Sequence, residues 1–98
     1  MKTTRIVCLA LALMLVGCGT ARPDGAELVV EKGCVACHGM DGKAIAASYP
    51  NLSGQWKLYL QLQLRAYRSG KRENAVMNGM AAGLTDSEIN ALAEHYGS

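Results

Sequence analysis

There is no phenylalanine among these 98 residues, and only one tryptophan and four tyrosines. With so few aromatic side chains, a core built from the chain alone is marginal at this size. Small domains usually add a disulfide, a metal or another staple, so something else should fill the interior. Charge of one sign is also missing. Ten Lys and Arg stand against eight Asp and Glu. Two of the basic residues, Lys2 and Arg5, fall in the leader described next, which leaves eight of each sign and a neutral domain. Phosphate backbones need a basic surface, so nucleic acid is excluded as a partner. Arg65, Arg68, Lys71 and Arg72 form a local cluster that reads as a solvated helix face and turn rather than a docking patch.

Long apolar runs are missing too. The longest, Ile6 to Val16, has eleven residues, against the roughly 20 of a membrane-spanning helix. Behind Lys2 and Arg5 it reads as the h-region of an export signal; a buried core helix is the competing reading. Leu15-Val16-Gly17-Cys18 resembles the lipobox of bacterial lipoproteins, in which the Cys is diacylated, the signal is cut before it and the new N-terminus is acylated. More than one acyl chain gives stable membrane attachment, whereas one is marginal. Ordinary cleavage after Ala21, with Gly19 and Ala21 as the small residues, is the alternative and would give a soluble periplasmic protein. The expected organisation is therefore a removed lipoprotein signal peptide over residues 1–17, a lipidated Cys and tether over 18–23, and one domain over 24–98.

Four cysteines in an exported protein first suggest two disulfides. Cys8 leaves with the signal, however, and Cys18 is taken by the lipid. Cys34 and Cys37 remain, in Cys34-Val35-Ala36-Cys37-His38, the signature of c-type haem attachment. The spacing has a chemical reason. Two cysteines three apart on a helical turn share a face, so both sulfurs can bond the vinyl groups of one porphyrin edge, and His38 then points an imidazole nitrogen at the iron. A thioredoxin-like pair would need a βαβ context that is not present. A zinc site would need two further Cys or His ligands, and only His95 is left.

Elements can be placed around this motif. Asp24 and Glu27 fit an N-cap and its reciprocal partner, and Ala26, Val29, Val30 and Gly33 make one face of a short helix. Residues 39–54 read as loop. In residues 55–69, Leu58, Leu60, Leu62 and Leu64 alternate at the period of a strand, but the segment is composed of good helix formers without a β-branched residue. Helix is predicted there, with Gly70 at its end. A further short helix is expected over Glu73 to Met80. Thr85 and Glu88 make a capping box ahead of Ile89, Leu92, Ala93 and Tyr96 at helical spacing, ended by Gly97. The fold class is all-α.

An iron held by one His has a second axial position, for which Met40, Met77, Met80 and His95 are candidates. Met40 is too close: two residues of backbone reach only about 7 Å from His38 and cannot round the porphyrin. Met77 and Met80 are both distant enough, and either could instead be a flexible core filler.

Taken together, the chain resembles the class I c-type cytochromes, closest to small bacterial periplasmic electron donors whose relatives include dihaem forms. The resemblance runs from about Gly25 to Tyr96. It rests on Cys34-Val-Ala-Cys37-His38-Gly39 with Asp41-Gly42, on Tyr49-Pro50-Asn51-Leu52-Ser53-Gly54-Gln55, on Tyr59-Leu60 with Gln63-Leu64, on Gly70-Lys71-Arg72, on Met77-Asn78-Gly79-Met80 and on Leu84-Thr85-Asp86. It implies a small helical cytochrome c fold wrapped around one covalent haem c, with the first and last helices crossing. It further implies Met77 on the iron with Met80 packing nearby, the Pro50 carbonyl bonded to the His38 ring, which fixes the imidazole tautomer, and Leu52 against the haem. The family usually has an aromatic near His95. Tyr96 supplies one here, and His95 reads as a solvent-facing helix residue.

A His/Met iron is coordinatively full, and its thioether raises the potential relative to His/His. Such a site exchanges one electron and has no place for a small-molecule substrate. The expected function is electron transfer, not catalysis, between redox proteins of a respiratory chain at the periplasmic side of a bacterial membrane. Gly19, where an Asp is associated with inner-membrane retention in enteric bacteria, points to the outer membrane. Two alternatives stand beside this: a non-catalytic haem subunit of a membrane oxidoreductase, and a haem sensor or peroxidase with a labile Met.

Overall fold

The computed structural model describes residues 22–98. The export signal and Cys18 lie outside the described residues. Among those residues all regular structure is helical: α1 (Gly25–Glu31), α2 (Val35–His38), α3 (Lys57–Ser69), α4 (Ala75–Ala81) and α5 (Asp86–Tyr96). None of these helices is long and apolar enough to cross a membrane.

Helix α1 starts at Asp24, whose carboxylate accepts the Ala26 N–H at 3.0 Å. Glu27 makes no reciprocal bond, so this end is a simple N-cap rather than the capping box expected. The buried face is also turned by one residue. Leu28 and Val29 are buried, and Val30, expected inside, is 58% exposed. The cause is tertiary. Helix α1 lies on α5 at Gly25, where a Cβ would sit 2.5 Å from the Ala91 carbonyl oxygen and 2.7 Å from the His95 Cβ. Only glycine permits that approach, and it selects the face Gly25, Leu28, Val29 at i, i+3, i+4.

Helix α3 settles the ambiguity of the alternating leucines. A spacing of two turns about 200° around a helix, so Leu60 and Leu64 face inward while Leu58 and Leu62 are 64% and 51% exposed. The helix begins at Lys57, two residues later than expected, because residues 54–57 are held elsewhere. Gly54 N–H bonds the Tyr96 carbonyl at 3.2 Å, Ser98 N–H bonds the Gln55 carbonyl at 2.8 Å, and Lys57 N–H bonds the Ser98 carbonyl at 3.2 Å. At the other end Gly70 takes the left-handed conformation at φ 82° and closes the helix.

Helix α4 begins at Ala75 rather than Glu73, because Asn74 is its N-cap and accepts the Met77 N–H at 3.0 Å. The predicted capping box on α5 is present. Thr85 Oγ1 accepts the Glu88 N–H at 3.1 Å, and Glu88 Oε1 accepts the Thr85 N–H at 2.9 Å. The core consists of Leu28, Val29, Leu60, Ala81, Leu84, Ile89, Leu92, Ala93 and Tyr96. Among the described residues only Val29 and Ile89 are large side chains sealed from solvent, as expected of a small domain whose interior is shared with something other than protein.

Candidate functional site

The site is assembled on the short helix α2, which holds the haem-attachment motif. Cys34 precedes its first turn, Cys37 lies within it, and His38 ends it. Both cysteines are free thiols and half-buried. Burial pushes the Cys34 thiol above its ordinary value. His38 is 8% exposed, the only buried polar side chain among the described residues.

The segment 39–54 is loop, as expected, and it is braced by its own hydrogen bonds. The Gly42 carbonyl accepts the N–H groups of Leu52 and Ser53 at 2.7 and 3.0 Å, and Asn51 Oδ1 accepts the Ala44 N–H at 2.7 Å. These bonds place Pro50 beside the imidazole, with His38 Nδ1 2.9 Å from the Pro50 carbonyl oxygen. A carbonyl only accepts, so Nδ1 carries the proton and Nε2 is left with a free lone pair. Tyr96 fixes the ring from another side. Its ring meets the imidazole edge-on at 6.5 Å between centroids, and its hydroxyl donates to the Gly39 carbonyl at 2.8 Å. The Tyr96 hydroxyl is pushed up to about 12, chiefly by burial and then by Cys34 and Asp41; it remains a donor throughout the neutral range.

His38 lines a cleft of about 240 Å³. Cys34, His38, Pro50 and Leu52 line it on the side of the motif, and Met77 lines it from α4. Five of the six cofactor residues expected from the sequence thus converge on one cleft. The sixth, Cys37, is half-buried on α2 and is not part of the lining. Met80 is not on the cleft either. It is 38% exposed, with its methyl group near Gly33. Met40 is 44% exposed. His95, read as solvent-facing, is half-buried against Gly25, and its Nε2 lies 2.7 Å from the Met40 carbonyl. The close helix contact turns it inward.

Three further groups belong to the site. Tyr67 and Arg72 line the cleft, the guanidinium lies 4.9 Å from the centroid of the Tyr67 ring, and it donates to Gln63 Oε1 at 2.7 Å. Arg72 is therefore a cation at the rim of the cleft while remaining solvent-exposed on the turn. Arg68 is also engaged, donating to Asp86 at 2.7 Å and to the Leu84 carbonyl at 3.0 Å. Asn78 is the third. It accepts the Asn74 N–H at 2.9 Å and donates to the carbonyls of Tyr67 at 2.9 Å and Arg72 at 2.8 Å. One side chain next to Met77 thus ties α4 to the turn that carries Arg72. The sequence marked Arg72 and Asn78 only as members of the motifs Gly70-Lys71-Arg72 and Met77-Asn78-Gly79-Met80, which say nothing of what the turn faces.

Two free thiols three residues apart, an imidazole with a free Nε2, a thioether on the same cleft and apolar walls at Leu52, Leu60, Leu64 and Leu92 fit haem c. The chain belongs to the cytochrome c family, whose model, described as Cytochrome c, matches residues 23–96. The cofactor of that family is covalently attached haem c. The chain is 48% identical over 68 residues to cytochrome c-554(548) of Halomonas halodenitrificans, a match covering 66% of this chain and 82% of that protein. It is 48% identical over 64 residues to the thiosulfate dehydrogenase electron acceptor of Thiomonas intermedia, with 64% of this chain and 30% of the relative covered. Cytochrome c4 of Pseudomonas aeruginosa is 35% identical over 94 residues, 95% of this chain and 47% of its own length. Apart from the c-554(548) protein, the chain thus spans less than half of these relatives. The solved structure of reduced cytochrome c4 from Pseudomonas stutzeri superposes with a TM-score of 0.66 at 32% identity, over 74% of this chain and 44% of that one. The chain has the cytochrome c fold and matches about half of each solved cytochrome c4 chain.

Proposed function

We propose that this protein is a membrane-anchored carrier of single electrons, with one haem c joined through Cys34 and Cys37 and its iron held by His38 Nε2 and Met77. The observation that carries this reading is the Nδ1 bond of His38 to the Pro50 carbonyl in a cleft whose lining includes Met77. A haem group supplies the one-electron couple when bound. The chain's own residues do the rest. Pro50 keeps the proton on Nδ1 and so keeps Nε2 a ligand; Tyr96 limits the ring's rotation. Leu52, Leu60, Leu64 and Leu92 exclude water, which raises the potential by disfavouring the more charged state. Arg72 brings a positive charge to the cleft where the carboxylates of the group can be met.

The anchor is Cys18, the location is the periplasmic side of a bacterial membrane, with the outer membrane favoured by Gly19, and the partners are respiratory redox proteins. A second reading has specific support. One relative, 31% identical over 70 residues, is the cytochrome subunit of sulfide dehydrogenase of Chlorobaculum tepidum, so a place as a non-catalytic haem subunit of a larger oxidoreductase is the alternative. Oxidised and reduced absorption spectra test the carrier reading. Haem should stay on the denatured chain through acid-acetone extraction, and the reduced protein should not bind carbon monoxide readily. Extractable haem would refute attachment at Cys34 and Cys37; ready carbon monoxide binding would refute the His/Met carrier. Co-purification in a detergent extract separates the free carrier from the subunit, and intact mass reads the acyl chains on Cys18.

A further inference from the structure

The two peptide carbonyls that follow His38 are both held by the last helix. Tyr96 donates its hydroxyl to the Gly39 carbonyl at 2.8 Å. His95, the residue before it, has Nε2 2.7 Å from the Met40 carbonyl oxygen. A carbonyl only accepts, so Nε2 of His95 carries a proton and Nδ1 is the nitrogen that takes a second. Consecutive residues of α5 thus clamp consecutive peptide groups of the chain that leaves the proposed iron ligand. Tyr96 lines the haem cleft, and His95 lies on an open groove beside the start of α1.

The rings also form a row. His95 meets Tyr96 edge-on at 5.0 Å between centroids, and Tyr96 meets His38 edge-on at 6.5 Å. The two imidazoles are therefore within about 11.5 Å of each other, with a ring only 5% exposed between them. Histidine is the side chain whose charge changes between about pH 5 and 8. The charged groups that face His95 are Arg22 and Asp24 ahead of α1 and Glu94 on α5, which share its groove. Asp41, beside Met40 in the chain, acts by its charge on Tyr96. Guanidinium and carboxylate groups keep their charge through the range in which an imidazole loses its own.

We infer that His95 is a positioning residue for the chain at the iron ligand and links electron transfer to a proton: the potential is higher when its ring is protonated, and reduction draws a proton onto it. The inference rests on the haem-carrier reading. An imidazolium disfavours the more positive oxidised state, so the potential falls as pH rises through the titration of His95. By linkage the effect is reciprocal, and the reduced protein holds that proton more tightly. Unit charges about 11.5 Å apart change the proton affinity by a factor of about two in water and about ten at the effective dielectric near a protein surface. His95 is half-buried, between these cases, and a factor of about three is expected. Protonation also makes the bond to Met40 charge-assisted, which tightens the peptide two residues beyond His38.

Spectroelectrochemistry of the holoprotein across about pH 5 to 8 tests this. The midpoint potential should fall in a single-proton wave by about 30 mV, the threefold ratio converted at 59 mV per tenfold for one electron. His95→Gln keeps an N–H for the Met40 carbonyl but does not titrate, so it should retain the Met-to-iron band and lose the wave. NMR titration of the His95 ring in the wild-type holoprotein is the second measurement and needs no variant. The ring should titrate at higher pH in the reduced protein than in the oxidised one. A flat wild-type potential, a wave that survives in His95→Gln, or equal titration midpoints in the two oxidation states overturns the inference. An absorption spectrum without covalent haem refutes the carrier reading and this inference together. The expected haem spectrum with a flat potential overturns this inference alone.

Discussion

Asn78→Ala removes three hydrogen bonds at once from the hinge between α3 and α4, without touching any proposed ligand. Asn78 accepts from Asn74 N–H at 2.9 Å and donates to the Tyr67 and Arg72 carbonyls at 2.9 and 2.8 Å. The bond to Tyr67 is partly buried, and the other two are exposed. The Tyr67 carbonyl keeps the Gly70 N–H as a second partner at 3.3 Å, so it is weakened rather than orphaned. Counting about 1 kcal/mol for the sheltered bond and about 0.5 for each exposed one gives a loss of about 2 kcal/mol, roughly a 30-fold change in the folding equilibrium. Guanidinium unfolding of the holoprotein, followed by the haem absorbance, should show a lower midpoint at unchanged slope. Loosening α4 should also weaken the Met77 bond, so the Met-to-iron charge-transfer band should lose intensity and the potential should fall. Asn78→Asp separates the contributions. It can still accept from Asn74 but cannot donate, and its carboxylate faces two carbonyls, so it should lose at least as much as Ala. A loss below about 0.5 kcal/mol, within the range of an ordinary surface substitution, together with an unaltered band, would refute the reasoning.

Met77→Ala should abolish the charge-transfer band, lower the potential and open the iron to carbon monoxide, whereas Met80→Ala should keep the band and cost only packing; the reverse pattern would make Met80 the ligand. The Cys34→Ala, Cys37→Ala double variant without haem should be largely disordered, because the binding energy of the group contributes to folding; a well-dispersed amide NMR spectrum would contradict this. Gly25→Ala places a Cβ against the Ala91 carbonyl and the His95 Cβ and should destabilise by about 1–3 kcal/mol, as overpacking does, read as a lower Tm with an unchanged spectrum. The Arg68 side chain, by hydrogen bond and charge, holds the Asp86 carboxyl below the usual carboxylate range. A depressed folded-state value means that this contribution is present above the ordinary carboxylate range and is lost as pH falls through the folded value. In Arg68→Gln that contribution is absent, so the variant should be less stable above the carboxylate range and its acid-side decline shallower, the two curves converging at low pH; a superimposable pH–stability curve would show the pair to be inert.

Covalent and local features were legible in the sequence for physical reasons. The spacing Cys34-x-x-Cys37-His38 is set by the porphyrin edge, so it survives any change of surroundings. Thr85 with Glu88 is a capping box whose bonds close within four residues, and Gly70 ends α3 because its own conformation permits it. What only the tertiary structure decided depends on partners far apart in the chain. The periodicity of α1 fitted two faces, and the near contact of Gly25 with Ala91 chose Leu28 over Val30 and turned His95 inward. The strand-like alternation of leucines became two opposite faces of α3 once Leu60 and Leu64 met the core and left Leu58 and Leu62 outside. The basic residues 65–72 looked like one solvated cluster, but Asp86 claims Arg65 and Arg68 while the turn fixed by Asn78 sends Arg72 to the cleft. Composition fixes how many such groups exist; which of them meet is settled by helix packing, because a side chain's partner is chosen by the element that arrives opposite it.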